Sequence, residues 1–324
     1  MTDKILTVFA PASSGNLSVG FDALGLALAP MDGTLLGDIV ELQPAANHDW
    51  ALEVSGPFAH ALPEDPELNV VLSSCRRFQK EAESVDTLIK PLHVRLNKRL
   101  PVGSGLGSSA ASVVATLVGL NQYFNRPLSR LTLLDLMAEM EGSISGGVHL
   151  DNIAPSLMGG LRLCVPGSST QYALPWPSSW RAVVAWPGTQ LNTREARTVV
   201  PEQVDRNVAI AQGARFARFI HELHSGDTKE AAKCLVDEIA EPYRADLLPG
   251  FSEARQALTE LGALAVGISG SGPTIFAIVD DQRVAERSLT WLRSHYVQNE
   301  QGFVHVCKAD LEGARVVGRG RTDT

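Results

Sequence analysis

Cysteine is scarce in this 324-residue sequence, and the few thiols present are far apart. Cys75, Cys164, Cys234 and Cys307 form no CxxC pair, so their spacing indicates neither a disulfide framework nor a zinc ribbon. Isolated thiols of this kind are typical of a reducing compartment. We therefore predict a cytoplasmic protein.

Positive charge and long apolar runs are also lacking. The chain carries 28 Lys and Arg residues against 36 Asp and Glu residues, a formal net charge of −8. Without a basic stripe, this balance argues against a nucleic-acid partner, which needs clustered cations to neutralise phosphates. No run approaches the roughly 18 apolar residues of a membrane span, so we expect no membrane partner. The short apolar stretch at residues 5–10 follows Asp3 and ends at Pro11, which favours a first β-strand over a signal peptide.

Core-forming residues, in contrast, are plentiful. Hydrophobic residues make up 44% of the chain and charged residues 20%, which excludes disorder as the overall state. β-Branched and aromatic residues between turn-forming residues predict strands at 5–10, 38–43, 50–55, 91–96, 182–186, 264–269, 274–279 and 303–308. Helical patterns, with Asn69 and Ser129 as N-caps, predict helices at 69–82, 110–124, 129–140, 201–224, 227–239, 250–261 and 281–295. The loose segment 164–180 then separates two α+β domains, which we place at residues 1–165 and 166–324.

A glycine-rich loop leads directly into the apolar helix predicted at 110–124. Its glycines let the backbone come close to a ligand, and the helix start directs N–H groups and a positive dipole end at the loop. A phosphate chain is the obvious ligand, although a plain turn explains the loop alone equally well. It is neither a Walker A loop, since no lysine follows the glycines, nor a dinucleotide fingerprint, since Ser108 replaces the third glycine. The loop residues are Pro101, Val102, Gly103, Ser104, Gly105, Leu106, Gly107, Ser108, Ser109, Ala110 and Ala111.

Other motif tests give one further candidate. No GxSxG elbow or HExxH pair is present, and we interpret His221 and His224 as polar positions near a helix end. A second glycine-rich loop, GISGSGP at residues 267–273, lies between two predicted strands. It has more glycine than a hairpin requires, so we expect its backbone to approach a ligand held against the first loop.

Three segments together resemble the signature motifs of the galactokinase, homoserine kinase, mevalonate kinase and phosphomevalonate kinase (GHMP) superfamily. Residues 101–111 are similar to its ATP-binding motif, 11–22 (PASSGNLSVGFD) to its first motif, and 267–273 to its third. Within the superfamily the chain most resembles homoserine kinases, through segments 16–22, 149–155, 193–197, 241–244 and 268–273. These segments run in order along nearly the whole chain.

Three segments depart from the family pattern. Gly15 and Ser18 flank Asn16-Leu17 where the family usually has Ala and Gly, Leu150 replaces a small residue, and residues 142–148 are unusually rich in Gly and Ser. Every polar group that is expected to act is nevertheless present. The differences therefore concern only details of the substrate pocket.

The resemblance implies an α+β fold of two domains. The N-terminal domain would be like the second domain of ribosomal protein S5, with a left-handed βαβ crossover that is an exception to the usual rule. The C-terminal domain would be ferredoxin-like, with ATP and substrate bound between the two. The implied activity is ATP-dependent phosphorylation of the L-homoserine side-chain hydroxyl to O-phospho-L-homoserine, in threonine biosynthesis. The sequence does not decide between a monomer and a homodimer.

The resemblance also assigns residues to the two ends of a zwitterionic amino acid. Arg197 and Arg244 would bind its carboxylate through guanidinium forks, and Asp22 would meet its ammonium group. The residues implied to bind substrate are Asn16, Asp22, His149, Asn152, Arg197, Arg244 and Gly270. Those implied to be catalytic are Asp151, Asn152 and Arg197.

Nucleotide and metal roles follow from the same resemblance. The loop N–H groups, the helix dipole and Mg²⁺ held by Ser109 and Glu141 would compensate charge on the transferring phosphoryl group. Asp151 occupies the position of a catalytic aspartate in mevalonate kinases, and whether it is a base or positions the substrate is left open. Asn69 is similar to a position that contacts the adenine side of the nucleotide, and helix capping explains it equally well.

Two kinds of alternative remain. A sister kinase for mevalonate, a sugar or shikimate, or a decarboxylase of diphosphomevalonate, would not need paired arginines together with Asp22. A nucleotide-binding sensor without catalysis would be expected to have replaced Ser109, Glu141 or Asp151, and all three are present.

Overall fold

The computed structural model describes residues 4–45, 47, 49–145 and 149–321. In these ranges the strands are β1 (Lys4–Pro11), β2 (Ser13–Gly15), β3 (Leu24–Pro30), β4 (Gly37–Pro44), β5 (Ala51–Ser55), β6 (Leu92–Asn97), β7 (Leu161–Cys164), β8 (Gln171–Leu174), β9 (Arg181–Trp186), β10 (Ala265–Ile268), β11 (Ile275–Val279), β12 (Phe303–Ala309) and β13 (Arg315–Arg321). The helices are α1 (Val70–Glu83), α2 (Ser108–Tyr123), α3 (Arg130–Ser145), α4 (Ile153–Met158), α5 (Thr193–Thr198), α6 (Arg206–Ser225), α7 (Thr228–Lys233), α8 (Glu241–Arg244), α9 (Phe251–Leu261) and α10 (Gln282–His295).

The first sheet joins the two ends of the chain. Its strand order is β13-β1-β4-β6-β5, and β13 pairs antiparallel with β1. The strand predicted at 303–308 is present as β12, but the expectation that it is the final strand was wrong, because β13 follows it. β5 and β6 pair in parallel, because the chain returns between them through α1 and forms a βαβ unit. The division at residue 165 stays a prediction.

The second sheet contains the expected ferredoxin-like arrangement. Strands β10-β11-β9-β12 pair antiparallel in that order, which is the order of a β-α-β-β-α-β unit. β12 also pairs with β3 from the N-terminal half of the chain, so the sheet continues through β3 into β7 and β8. Both halves of the two-domain α+β fold therefore share hydrogen-bonded backbone.

Helix α2 lies in the centre of the N-terminal half. Its segment carries no charged residue, and Val113, Val114 and Leu117 are fully buried. It packs on β1 and β4 with one side and on α1 and α3 with others, which explains its nearly uniform apolarity. This packing fixes the start of α2 at the first glycine-rich loop.

Two predicted helices have different bounds for a local reason. The helix expected at 227–239 ends with α7, because the Asp237 carboxylate accepts the backbone N–H groups of residues 239–241 at 2.8 to 3.1 Å and starts a new turn. The helix expected from residue 201 begins only at α6, where the Asp205 side chain accepts the Asn207 N–H at 2.7 Å. Short polar side chains therefore set both boundaries.

Several remaining expectations can be placed on the structure. Asn69 is the N-cap of α1, as predicted. The four cysteines are buried and free. No helix in the described part of the chain combines the length and the apolarity needed to cross a bilayer. Helix α3 extends to Ser145, past its predicted end, and residues 146–148 of the Gly- and Ser-rich segment lie outside the described residues.

Candidate active site

A cleft of about 790 Å³ collects most of the predicted site residues. Those that line it are Asn16, Asp22, Asn69, Val102, Gly103, Ser104, Gly105, Gly107, Ser108, Ser109, Glu141, His149, Asp151, Asn152, Arg197, Arg244 and Gly270. Of the predicted nucleotide-loop residues, Pro101, Leu106, Ala110 and Ala111 are buried behind this lining. The cleft also receives residues 190–195, which the sequence analysis assigned to no binding role.

The glycines of the first loop are required by its conformation. Gly103, Gly105 and Gly107 have φ angles of 64°, 79° and 63°, the left-handed region that other residues adopt at a cost. Space is restricted as well: a Cβ on Gly105 would meet the Ser269 carbonyl oxygen, and one on Gly107 would meet the Ser13 hydroxyl. At these three positions the loop therefore presents backbone to the cleft.

Hydrogen bonds join all three glycine-containing motifs. Ser269 Oγ lies 2.7 Å from the Gly105 carbonyl oxygen and 2.8 Å from Ser14 Oγ. A hydroxyl has one proton, so Ser14 donates to Ser269 and Ser269 donates to Gly105. The Gly270 N–H also donates to the Gly15 carbonyl oxygen at 3.1 Å. The second glycine-rich loop thus lies against the first, as the sequence predicted.

The start of α2 has the features of a phosphate site. Gly107 is its N-cap and provides no side-chain cap, so the N–H groups of the first turn are directed past the helix end. Ser104 Oγ is buried in the same loop and makes no hydrogen bond to any residue in the described ranges. Uncapped N–H groups, a buried hydroxyl and the positive helix end fit the phosphate chain of a nucleotide.

A lysine that the sequence analysis missed supports this loop. Lys98 is 1% exposed, and its Nζ donates to Asp38 Oδ2 at 2.5 Å, the Ser108 carbonyl oxygen at 2.8 Å and Ser112 Oγ at 3.0 Å. Its ammonium group therefore lies at the first turn of α2. Lys98 precedes the motif by three positions, and no spacing rule for phosphate loops places a lysine there.

Ser109 and Glu141 meet at the same helix start. Ser109 Oγ donates to Glu141 Oε1 at 2.8 Å. Burial raises the pKa of the Glu141 carboxyl, while the Ser109 hydrogen bond and the charge of Lys98 oppose that rise. A hydroxyl and a carboxylate provide the oxygen ligands that Mg²⁺ prefers, and one or two protein groups suffice when phosphates supply others.

Asp22 and Arg197 are bound to each other in the cleft. The guanidinium donates from Nη1 and Nη2 to the two carboxylate oxygens at 3.0 and 2.9 Å, a bidentate pair. His149 Nδ1 lies 3.5 Å from Asp22 Oδ2. Burial lowers the pKa of His149, partly offset by Asp22, which favours the neutral imidazole. Asp22 and Arg197, which the family resemblance places at opposite ends of a substrate, also pair directly with each other.

Arg244 and Asn16 connect this charged group to the second glycine-rich loop. Arg244 is 3% exposed and donates to the Ala196 carbonyl oxygen at 2.9 Å and to the Gly270 carbonyl oxygen at 3.2 Å. Asn16 Nδ2 donates to the same Gly270 oxygen at 2.9 Å, and its Oδ1 accepts the Asp22 N–H at 2.9 Å. Asn16 and Arg244 therefore fix the positions of Gly270 and Asp22 while lining the cleft.

Asp151 is a buried carboxyl group of the cleft whose pKa is strongly raised. It is 4% exposed, and burial raises its pKa to about 7, with the nearby Asp22 charge adding to the rise and Arg197 opposing it. Asn152 Nδ2 lies 3.4 Å from Asp151 Oδ2. A carboxyl group that titrates near neutral pH can accept a proton from a bound alcohol or hold that alcohol by a hydrogen bond.

Asn69 has two uses in the structure. Its Oδ1 accepts the Val71 N–H at 3.0 Å and caps α1. Its Nδ2 is buried at the cleft and makes no hydrogen bond to the part of the chain that the structure describes. The cap and the cleft-lining amide are therefore compatible, because they use different atoms.

Comparisons with known proteins agree with this geometry. The family descriptions "GHMP kinases N terminal domain" and "GHMP kinases C terminal" match residues 69–160 and 219–298. The crystal structure of a homoserine kinase from Cytophaga hutchinsonii is 32% identical, with 98% of each chain covered and a TM-score of 0.88. A Listeria monocytogenes protein described as a candidate homoserine kinase is 23% identical, with 97% and 99% covered and a TM-score of 0.70.

A mevalonate kinase from Methanococcus jannaschii shares the fold at lower similarity, with 13% identity, 94% and 97% of the chains covered and a TM-score of 0.65. The two family matches together span more than half of the sequence and include the glycine-rich loop, Glu141 and Asp151. The chain belongs to the GHMP kinase family. It is therefore a kinase by family, and the family uses ATP.

Proposed function

We propose that this kinase phosphorylates the side-chain hydroxyl of L-homoserine, using ATP and Mg²⁺, to give O-phospho-L-homoserine for threonine biosynthesis. The observation that carries the proposal is the charged group Asp22, Arg197 and Arg244 in the cleft that also contains the glycine-rich loop. An amino acid presents one carboxylate and one ammonium group, which arginine forks and an aspartate are suited to bind. Similarity to the Cytophaga hutchinsonii homoserine kinase supports the same substrate.

The chain's own residues provide positioning and charge compensation for phosphoryl transfer, the two contributions that this reaction most requires. The first-turn N–H groups of α2 would bind the phosphates, and Ser109 with Glu141 would hold the metal ion. Mg²⁺ supplies positive charge to the phosphate oxygens when bound. Asp22, Arg197 and Arg244 would hold the amino-acid end, so that the hydroxyl points toward the phosphate loop.

Asp151 and Asn152 would act on the hydroxyl itself. Both line the cleft, and Asp151 with a pKa of about 7 can hold or accept the hydroxyl proton near neutral pH. Phosphoryl transfer through a loose transition state requires little early deprotonation, so orienting the hydroxyl is a sufficient role. We assign Asp151 and Asn152 to orientation, with Asp151 as the final proton acceptor.

Substrate analogues that lack one charged group test the proposal. γ-Hydroxybutyrate lacks the ammonium group of homoserine, and aminopropanol lacks its carboxylate. Each lost charge-assisted contact should reduce kcat/KM by at least about 30-fold, since such contacts are worth about 2 kcal/mol or more. Equal turnover of homoserine and γ-hydroxybutyrate would contradict the role of the charged group and favour a substrate without an ammonium group.

A further inference from the structure

A buried serine connects the phosphate loop to the proposed hydroxyl-orienting residues. Ser13 lies on β2 and is 0% exposed. Its backbone N–H donates to the carbonyl oxygen of Leu106 in the glycine-rich loop at 3.1 Å. Its hydroxyl donates to Asn152 Oδ1 at 2.9 Å. Ser13 is therefore fixed on the loop by its backbone and contacts Asn152 through its side chain.

This contact uses the accepting end of the Asn152 amide, which leaves the donating end to face Asp151. An amide has one accepting end and one donating end, so a donor on Oδ1 leaves Nδ2 directed elsewhere. In the structure Nδ2 lies 3.4 Å from Asp151 Oδ2. The reversed amide would place its carbonyl oxygen against a carboxylate, two acceptors without a proton between them when Asp151 is ionised.

The surrounding backbone packs closely against these three side chains. A Cβ on Gly107 would meet Ser13 Oγ and lie 2.9 Å from Asn152 Oδ1. A Cβ on Gly15 would meet Asp151 Oδ2 and lie 2.9 Å from Asn152 Nδ2. Glycine at both positions allows the three polar side chains to pack between two loops.

We propose that Ser13 is a positioning residue of the kinase: its hydroxyl holds the Asn152 amide so that Nδ2 faces the Asp151 carboxylate and both groups face the acceptor hydroxyl. The proposal rests on the proposed function, because it assigns Asp151 and Asn152 to the phosphoryl acceptor. Ser13 itself need not contact the substrate.

A double-mutant cycle between Ser13 and Asn152 tests the proposal. Ser13→Ala removes the donor to Asn152 Oδ1, so the amide is no longer held in one orientation. We expect kcat to fall about ten-fold while KM for ATP and for the acceptor stays within about two-fold. Asn152→Ala should lower kcat further. If Ser13 acts through Asn152, Ser13→Ala should have no additional effect on kcat in the Asn152→Ala background.

Ser156→Ala is the matched control. Ser156 is also 0% exposed, and its hydroxyl donates to the Pro11 carbonyl oxygen at 2.8 Å, away from the Asn152 side chain. Both substitutions delete one buried hydroxyl, so both should lower thermal stability to a similar extent, but Ser156→Ala should keep kcat within about two-fold. This comparison separates loss of stability from loss of positioning.

Two results would overturn the role of Ser13: unchanged kcat in Ser13→Ala, or an equal loss of kcat from Ser13→Ala with and without Asn152. The cycle uses whichever alcohol the wild-type protein phosphorylates, so a wrong substrate assignment leaves the test of Ser13 intact. If the wild-type protein phosphorylates no alcohol, the positioning role fails together with the kinase assignment.

Discussion

Ser109 and Glu141 lie 32 residues apart in the chain and meet through a 2.8 Å hydrogen bond at the start of α2. The chain reverses between α2 and α3, and the two helices pack against each other. The end of α3 therefore returns to the phosphate loop. The family resemblance implied that these two residues act together on a metal ion, and the structure brings their side chains into contact.

Glu141→Gln tests the proposed metal site. The substitution keeps the size of the side chain and removes its negative charge, so Mg²⁺ would lose its only proposed carboxylate ligand. We expect kcat to fall by at least about 100-fold at low Mg²⁺ and to recover in part at high Mg²⁺, with KM for homoserine within about two-fold. Turnover titrated against Mg²⁺ measures both effects.

Glu139→Gln is the control for that substitution. Glu139 lies on the same helix, with an exposed side chain paired to Arg77 at 3.0 Å. The Mg²⁺ dependence of turnover in the Glu139→Gln variant should equal that of the wild-type protein. Wild-type turnover of Glu141→Gln at low Mg²⁺ would show that other groups hold the ion.

Arg197→Ala tests the amino-acid end of the site. It removes a guanidinium that binds Asp22 bidentately, and loss of a charge-assisted partner should cost about 2–5 kcal/mol of substrate binding. KM for homoserine should therefore rise by at least about 30-fold while KM for ATP changes little. Initial rates with each substrate varied in turn measure the two constants.

Arg215→Ala is a matched arginine outside the cleft, where its guanidinium pairs with Glu238 at 2.7 Å. Both Michaelis constants should stay near the wild-type values in this variant. If Arg197→Ala raised the two constants equally, Arg197 would serve the fold or the phosphates instead of the substrate.

Two substitutions of Asn69 separate its role as the N-cap of α1 from the role of its Nδ2 in the cleft. Asn69→Asp keeps an oxygen for the Val71 N–H and replaces Nδ2, whereas Asn69→Ala removes both. We expect Asn69→Ala to lose about 1 kcal/mol of unfolding free energy and Asn69→Asp to lose less, because an anion is favoured at a helix start. Both variants should raise KM for ATP. A normal KM for ATP in Asn69→Asp would limit Asn69 to capping.

Asp151 makes both stability and turnover depend on pH. Its folded pKa of about 7 lies above the ordinary value of 3.8, so the folded state favours the protonated form. The contribution of Asp151 to stability is therefore greatest at pH values below 3.8 and is lost as pH rises toward about 7, by about 4 kcal/mol at most. Asp151→Asn cannot ionise, so it should stabilise the fold near about pH 8 and have much less effect near about pH 4.

The same substitution should lower kcat and abolish its rise through about pH 7, where the wild-type carboxyl loses its proton. Urea unfolding and kcat, each measured across pH, provide the two readouts. A stability change of the same size at both ends of the pH range would contradict the raised pKa of Asp151.

Most elements were predictable because their signals are local. The Asn69 cap, the apolar segment of α2 and the alternating strands of the first sheet appear directly in short stretches of sequence. β3 was missed because nearly all of its residues are buried, which leaves no alternation. β13 was missed because its pairing with β1 joins opposite ends of the chain.

In the candidate site, too, residues with a local sequence signal were predictable and those placed by long-range contacts were not. The motif residues that line the cleft could be named from the sequence because each lies in a recognisable segment. Lys98 could not be found in this way, since its ammonium reaches the Ser108 carbonyl oxygen at the start of α2 only in the folded chain. The Asp22–Arg197 pair joins residues 175 positions apart, a distance at which sequence spacing carries no information.

The substrate assignment is the central claim, and a parallel measurement of ADP release tests it most directly. Homoserine, mevalonate, galactose and shikimate are supplied separately with ATP and Mg²⁺, and kcat/KM is determined for each. Homoserine should exceed every other alcohol by at least about 100-fold, because sites built for charged groups reject analogues that lack them. ADP release that homoserine does not accelerate, while another alcohol does, would contradict the assignment.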